Sequence, residues 1–504
     1  MAKSKKNGGF IGFVERGGNA LPHPATLFAI FAVSILILSW IFYMLGASAI
    51  HPATGETVEA VNLLSKEGLH RILLEMVDNY TGFAPLGIVM VALLAIGIAE
   101  SSGLITAAIR VLVLKASPKI ITFIIVLAGI LSNMASDLGY ILIIPLAGII
   151  FHSLGRHPIA GMSAAFAGVS GGFSANLFIG TIDPLLAGLS TEAANIIDPD
   201  YYVLPTANYY FMVVSTFVIA FAGTWVTNRF VEPRLGQYKC EFEIEPVESL
   251  TRKEKKALKW SFYIFLFWIA IFLAGLLPEY GLLRGADGTM LHSPLLKGFI
   301  AVLFFVAGTM SIVYGAIVGK FKSDKDVVKG MVTSFKGLVA FLVLVFFAAQ
   351  FVAWFKWSNL GLLLAINGAD WLQNANLGLI PLLIIFVLFS GFLNMFMGSA
   401  SAKWAILGPV FIPMFMLLGY SPELSQAVFR IGDSVTNVIS PMMSFFALII
   451  VYYEKYEKKA GIGTLISTML PYSLTFLGLW VLLLIGWVLL GLPLGPGSGL
   501  FYGG

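Results

Sequence analysis

Apolar runs too long for a soluble core dominate this chain. Nine of them, at 27–46, 85–112, 159–189, 208–230, 258–277, 295–319, 331–352, 425–452 and 463–490, reach the length of a bilayer-spanning helix, about 20 residues. Backbone polar groups find no partners in hydrocarbon, so such runs must be helical. Of the 504 residues, 58% are hydrophobic and 12% charged, against roughly 25% charged in soluble domains. That is too little polar surface to coat a soluble fold of this size. The expected class is an all-α polytopic membrane protein. The run at 27–46 lacks a small-residue cleavage signature and reads as a retained span. The single cysteine, Cys240, excludes an internal disulfide.

Two further apolar stretches, 120–151 and 378–418, carry a polar knot near the middle. The first knot is Ser132-Asn133-Met134-Ala135-Ser136-Asp137, and the second runs from Asn394 to Trp404. Each half is too short to cross alone, so each stretch predicts a re-entrant helical hairpin; paired short tilted helices are the alternative. Loop charges set the sidedness, because Lys and Arg accumulate in cytoplasmic loops. Lys3, Lys5 and Lys6, the basic 229–259 loop, Lys320 to Lys329, and Lys455 to Lys459 read as inside. The acidic segments 47–82 and 190–207 read as outside. The alternation holds if both hairpins return to the side they entered. It gives nine spans, a cytoplasmic N-terminus and a C-terminus outside. The expected organisation is an N-terminal segment 1–26, a first half 27–230, a cytoplasmic linker 231–257, a second half 258–490 and a tail 491–504.

Hairpins entering from opposite faces imply an inverted repeat, the architecture of secondary transporters with a midplane site. Self-similarity supports it. Asn133 and Asn176 are 43 residues apart, as are Asn394 and Asn437. Pro145 and Pro158 are 13 apart, as are Pro409 and Pro422. Each half also carries an interrupted span, broken at 170–176 and 180–184 in the first and at 432–441 in the second. Gly and Pro open helix hydrogen bonds there. Pro184, Gly398, Pro422, Gly432 and Pro441 are the expected hinges or breaks. Freed carbonyls can coordinate a cation, and freed N–H groups can hold an anion.

Asp137, Asp183, Lys403, Arg430 and Asp433 fall in these membrane segments, where ionisable residues are expensive and face pathways. Arg430 and Asp433 share a helix face. They read either as a structural pair or as an anion-binding arginine beside a protonatable carboxylate. Asp183 is either a cap at a kink or an ion-coupling group. Asp137 and Lys403 read as caps near the hairpin tips. Asn133, Asn176, Asn394 and Asn437 can donate to a carboxylate or accept a cation, so Na⁺ is the one ion this set could hold; no other cofactor is expected. Trp404 is either core packing or a stacking surface for an aromatic ligand. No phosphate-binding Gly-rich loop, nucleophile elbow or metal-ligand histidine spacing occurs. ATP drive, enzymatic chemistry and nucleic-acid binding are therefore not expected. A membrane-embedded enzyme acting on lipid intermediates and a passive channel are the competing classes.

These residues together resemble the AbgT family of p-aminobenzoyl-glutamate transporters, over essentially the whole chain. The resemblance is carried by the Ser132–Asp137 tip, Gly180-Thr181-Ile182-Asp183-Pro184, Asn394 through Trp404, and Phe429-Arg430-Ile431-Gly432-Asp433-Ser434 with Pro441. It implies an elevator-type fold and a homodimer in the bacterial inner membrane, each protomer with a scaffold part and a substrate-carrying part. It also implies uptake of p-aminobenzoyl-glutamate, or export of p-aminobenzoate and sulfonamides. Asp183, Asn394, Trp404, Pro422, Arg430, Asp433 and Pro441 match the family's important positions; Asn394 stands where some members have Ser. On this reading Asn133, Asn176, Asn394, Trp404, Arg430 and Asn437 bind an aromatic carboxylate, and Asp183 and Asp433 couple it to an ion. Proton-driven export is favoured, and Na⁺-coupled uptake of p-aminobenzoyl-glutamate or a dicarboxylate is the alternative.

Overall fold

The computed structural model describes residues 22–50, 55–114, 116–135, 139–236, 238, 250–290, 293–375, 377–458 and 460–503. Asp137, Cys240, Lys3, Lys5, Lys6 and residues 237 and 239–249 of the 231–257 linker lie outside the described residues.

The described chain is mostly helical, with one two-stranded antiparallel sheet. In order come α1 (Pro24–Met44), β1 (Ser48–Ile50), β2 (Thr57–Glu59), α2 (Lys66–Thr81), α3 (Ala84–Ser102), α4 (Leu104–Leu114), α5 (Ile121–Ser132), α6 (Ile144–Ser153), α7 (Pro158–Phe166), α8 (Ile182–Ala194) and α9 (Tyr209–Val226). Then follow α10 (Glu232–Leu235), α11 (Arg252–Leu276), α12 (Pro294–Lys297), α13 (Phe299–Val318), α14 (Asp324–Trp357), α15 (Leu360–Asn374), α16 (Leu379–Asn394), α17 (Ala400–Leu417), α18 (Pro422–Asn437), α19 (Phe446–Glu454) and α20 (Ile462–Leu489).

Both expected hairpins are present. In the first, α5 runs in, and a π turn at Gly139–Ile143 with α6 runs back. Arg156, just beyond α6, donates to Thr122 at the start of α5 (2.8 Å), so both arms end on one side. In the second, α16 and α17 lie antiparallel, with Phe386 stacked on Phe411 at 4.5 Å. Its arms are 16 and 18 residues long, and the second, Ala400–Leu417, is long and apolar enough to cross a membrane, against the expectation that each half is too short to do so.

The long helices differ from the expected spans at identifiable residues. The run at 85–112 breaks at Gly103, whose φ of +84° ends α3. The run at 331–352 continues to Trp357 and then turns by 69° into α15. Asn359 takes the left-handed conformation at that corner and donates to Glu59 O (2.8 Å). The acidic 47–82 segment, read as a loop, holds β1, β2 and α2. Ser65 Oγ caps α2 by accepting from Gly68 N (3.1 Å).

Surface ion pairs and loop contacts mark the two ends of the bundle. Arg110–Glu254 and Arg156–Glu232 lie at one end. At the other, Val61 N donates to Ser358 O, Tyr502 N to Gly419 O, and Tyr502 OH to Asp198. The described chain therefore starts and finishes at opposite ends. Outer helices present Trp40, Phe262, Phe267, Phe305 and Leu482 on their exposed faces, as surfaces in lipid do. The core lies between the hairpins and the broken helices. All nine residues of α7 are buried. So is nearly all of α18, although it carries Glu423, Gln426, Arg430, Asp433 and Asn437. A polar helix buried this completely needs partners for each group.

Candidate transport site

In the first half, glycines bring backbones together. A Cβ on Gly129 would lie 2.8 Å from Ala165 O, so only glycine lets α5 approach α7 this closely. After α7 the helix loosens into a π turn, Ala167–Gly171, and residues 172–181 leave helical geometry before α8. Asn133 Nδ2 donates to Val169 O (2.9 Å) and to Ile130 O (3.2 Å), and Asn176 Nδ2 also donates to Ile130 O (3.2 Å). The two asparagines of this half thus converge on one carbonyl.

The second half repeats the device. Asn394 Nδ2 lies within reach of Asp433 O (2.7 Å), Thr436 Oγ1 (2.8 Å) and Asn437 Oδ1 (2.8 Å). Ser440 Oγ donates to Asn394 O (2.9 Å). The break itself is not where the glycine suggested. Helix α18 runs unbroken through Gly432 to Asn437, and the chain leaves helical geometry at 438–445, around Pro441. Gly432 is a contact point instead: a Cβ there would lie 2.8 Å from Gly391 N and from Ser390 Cβ. Gly398, at the hairpin tip, packs against the backbone of Met442 and Met443 in the break. Pro422 opens α18, and Pro184 sits in the first turn of α8, so both start helices rather than kink them.

The ionisable groups pair across the fold. Arg430 and Asp433 do not pair with each other as their shared face suggested. Arg430 Nη1 meets Asp183 Oδ1 at 2.7 Å, with side chains only 4% and 2% exposed. Asp183 Oδ2 also accepts from Gly180 N (2.7 Å). Asp433 instead meets Lys403, whose ammonium also donates to Asn394 Oδ1. Arg430 Nε and Nη2 have no hydrogen-bond partner among the described residues. A small cavity beside Arg430 is lined by Ser174, Asn208, Phe211, Ile431 and Trp480.

Trp404 is fully buried. Its ring stacks on Phe429 at 4.5 Å, and Nε1 donates to Ser190 Oγ (2.9 Å). Ser190 donates to Gln426 Oε1 (2.7 Å), Gln426 Nε2 to Asn208 Oδ1 (2.8 Å), and Asn208 Nδ2 to Glu423 O (2.9 Å). In this arrangement both faces of the Trp404 question are answered by protein: its ring packs and its N–H is satisfied. Ser190, Asn208, Glu423 and Gln426 were not singled out in the sequence. Their only local signal is polarity inside apolar runs, and Glu423 resembles an ordinary first-turn acid after the Ser421 cap.

The two halves meet at their breaks. Ser174 N donates to Ser434 Oγ (3.0 Å), and Tyr140 stacks on Phe445 at 4.4 Å. Two inverted half-sites thus face one another across a buried Asp183–Arg430 pair. The sequence profile of the AbgT putative transporter family matches residues 9–502 of the chain. The chain belongs to the AbgT family. It is 38% identical over 498 residues to the p-aminobenzoyl-glutamate transport protein of Escherichia coli (strain K12), covering 99% of this chain and 98% of that one. Among solved structures it resembles MtrF of Neisseria gonorrhoeae, described as illuminating a class of antimetabolite efflux pumps, with TM-score 0.93 and 49% identity over 97% of this chain and all of that one. It also resembles the YdaH transporter of Alcanivorax borkumensis, described as having an unusual topology, with TM-score 0.90 and 45% identity over 94% of this chain and all of that one. This AbgT protein is a multi-pass membrane transporter, built on two hairpins and two broken helices.

Proposed function

We propose that this AbgT protein is a secondary transporter of p-aminobenzoyl-glutamate or p-aminobenzoate-like aromatic carboxylates. It works as an exporter that also expels sulfonamides, and a proton gradient drives it. The observation that carries the reading is Arg430. It is a buried guanidinium with two donor nitrogens unpartnered, held beside Asp183 where the two breaks meet. A carboxylate would satisfy those donors by charge-assisted hydrogen bonds. The names of the Escherichia coli relative and of MtrF supply the aromatic carboxylate and the efflux direction. Asp183 and Asp433 are the ion-coupling groups on this reading. Asn133, Asn176, Asn394 and Asn437 hold the hairpin tips against the breaks and line the path. Trp404 reaches an aromatic ring only if it gives up Phe429, so it acts in another state of the cycle.

The protein works as a homodimer in the bacterial inner membrane, with its N-terminus cytoplasmic and its C-terminus periplasmic. The lysines and arginines of the 229–259 loop, at the end where Arg110 meets Glu254 and Arg156 meets Glu232, support that orientation. Na⁺-coupled uptake is the competing reading, supported by the carbonyls of Ile130 and Val169 gathered at the first hairpin tip. The deciding experiment is flux of radiolabelled p-aminobenzoate in proteoliposomes, with pH and Na⁺ gradients imposed separately. Concentrative movement that follows the pH gradient alone is expected. Strict dependence on Na⁺ would transfer coupling to the asparagine-carbonyl sites. No flux under either gradient, from folded protein, would remove the substrate assignment.

A further inference from the structure

Helix α11 opens on charge of the wrong sign for its end. Five of its first eight residues, Arg252, Lys253, Lys255, Lys256 and Lys259, are cations, although the N-terminus of a helix already carries partial positive charge and favours anions. Glu254 is the one acid in this stretch, and it is engaged elsewhere. It accepts from Thr251 N (2.7 Å) in the capping box and turns toward the protein to meet Arg110 (3.3 Å). Among the described residues none of the five cations forms an ion pair. Cytoplasmic placement accounts for their number, but not for their arrangement. Arg252, Lys256 and Lys259 stand at i, i+4 and i+7; Tyr263 and Phe267 continue the stripe at i+11 and i+15, with Trp260 beside it. All six are exposed.

The opposite face of α11 packs on protein. Ala257 and Ser261 are buried, Ser261 Oγ donates to Met310 O (3.0 Å), and Trp268 Nε1 donates to Thr309 Oγ1 (3.0 Å) on α13. The stripe therefore faces away from the bundle. It is graded along its length as a phospholipid is. The cations come first, then Trp260 and Tyr263 in edge-to-face contact at 5.9 Å, then Phe267. From Arg252 to Phe267 the helix rises about 22 Å, close to half of a bilayer with its headgroups. Tryptophan and tyrosine collect at headgroup level, and Lys259 Nζ stands 5.7 Å from the Tyr263 ring. We propose that this stripe is a binding site for an anionic phospholipid of the cytoplasmic leaflet, its phosphate held by Arg252, Lys256 and Lys259 and an acyl chain laid along Tyr263 and Phe267. A cluster of cations just cytoplasmic of a spanning helix attracts anionic headgroups, and the phosphate supplies the negative charge that a helix start favours. The proposal needs only that α11 spans the membrane with its basic start at the surface. It does not depend on the transported substrate or on the driving ion.

The test is melting of the purified full-length protein in neutral detergent, titrated with phosphatidylglycerol or with phosphatidylcholine of the same chains. Phosphatidylglycerol should raise Tm by roughly 3 °C or more at saturation, and phosphatidylcholine should not. A basic side chain at an anionic surface contributes about fivefold in affinity. Arg252→Gln, Lys256→Gln and Lys259→Gln together should therefore move the half-point of the titration up by roughly 100-fold. Without lipid their Tm should be equal or higher, since cations at a helix start are unfavourable. Lys329→Gln, Lys455→Gln and Lys458→Gln remove the same charge from α14 and from beyond α19, and should leave the half-point in place. The proposal falls if the two lipids act alike, or if this second set shifts the half-point as far as the α11 set. It falls if soluble glycerol phosphate raises Tm as phosphatidylglycerol does, which would make this a site for free phosphate. It falls also if the α11 set changes the mass of the lipid-free particle, since the stripe is then a contact between copies. If the triple variant is not recovered folded, Lys256→Gln alone decides: a shift of about fivefold supports the site, and no shift overturns it.

Discussion

The Asp183–Arg430 pair allows a quantitative test of how the halves are held together. An exposed ion pair contributes about 0–1 kcal/mol. This pair is 2% and 4% exposed, so it belongs to the buried class, where removing one partner strands the other charge and costs about 3–5 kcal/mol. Asp183→Asn keeps an oxygen for the Gly180 N–H and removes only the charge. Arg430→Met keeps most of the side-chain volume. Each single variant should lose stability by about 3–5 kcal/mol. Arg430 is expected at the lower end, because two of its nitrogens are already unpartnered and less hydrogen bonding is lost with it. The double variant should return to within about 1 kcal/mol of the unaltered protein, since an uncharged pair of similar volume is often neutral or better. The assay is reversible unfolding in mixed detergent. Transport of p-aminobenzoate should be lost in all three variants. Additive losses in the double variant would refute direct coupling between the two charges, and retained flux in both single variants would remove their transport roles.

Three other outcomes are expected. Gly432→Ala drives a methyl against the backbone carbonyl of Val387 and to 2.8 Å from Gly391 N and Ser390 Cβ; overpacking of this kind costs at least about 1–3 kcal/mol, read as a lowered melting midpoint with α16 loosened in hydrogen exchange. Trp404→Phe keeps the stack on Phe429 but removes the donor to Ser190; it should cost about 1–2 kcal/mol and leave flux measurable, whereas Trp404→Ala, which opens a core cavity, should cost about 3–5 kcal/mol. Asp326 accepts from Lys322 N (2.7 Å) and Ser323 N (3.0 Å) at the start of α14, ahead of the apolar part of that helix. These backbone hydrogen bonds, that of Lys322 first, hold its carboxyl below the usual range. A lowered folded-state value means the ionised form stabilises above the unfolded value, and the contribution disappears as pH falls through the folded one. Asp326→Asn should therefore fray the first turn of α14 at neutral pH, seen as faster hydrogen exchange, and should match the unaltered protein once the pH is below that lowered value.

Some of this site was legible in sequence because the repeat writes it twice. The equal Asn133–Asn176 and Asn394–Asn437 spacings anticipated that each hairpin tip meets its own broken helix. Pair choice was not legible. Arg430 and Asp433 share a face at three residues' separation, but Lys403, thirty residues upstream of Asp433, takes that carboxylate, and Arg430 turns to Asp183 in the other half. Sequence proximity carries no information about which buried charge a tertiary neighbour neutralises. Gly432 misled for a related reason. Glycine inside a helix costs only about 1 kcal/mol, and close packing against Gly391 offsets it, so α18 continues to the segment around Pro441. Helix α2 was hidden because charge was used to assign a side and so masked an amphipathic pattern. Its signal is the Ser65 cap followed by Leu69, Ile72 and Met76 at helical spacing.

The distribution of polar ties divides the bundle in a way that bears on movement. Within the hairpins, the broken helices, α9 and α20, buried polar bonds run in every direction: Asp183–Arg430, Lys403–Asp433, Trp404–Ser190, Ser190–Gln426, Gln426–Asn208, Tyr472–Thr227 and Trp480–Ser215. Such a network resists internal rearrangement, because opening any one link strands a buried polar group. Helices α2, α3, α13 and α14 are tied among themselves by packing and by bonds such as Asn79–Gln350 and Tyr80–Leu342. Between the two groups the contact is of another kind. Pro85 lies against Gly188, and Phe83, Leu185, Leu189, Val345 and Ala405 line the boundary. Glu192 accepting from Ala84 N (3.0 Å) is a rare polar link across it. An apolar boundary exchanges one set of dispersion contacts for another when its faces slide, whereas a hydrogen-bonded one must break first. A shift of the whole inner group against the outer helices therefore disturbs fewer buried polar bonds than any opening inside the inner group. This is the pattern that movement of an intact site, rather than its dismantling, requires.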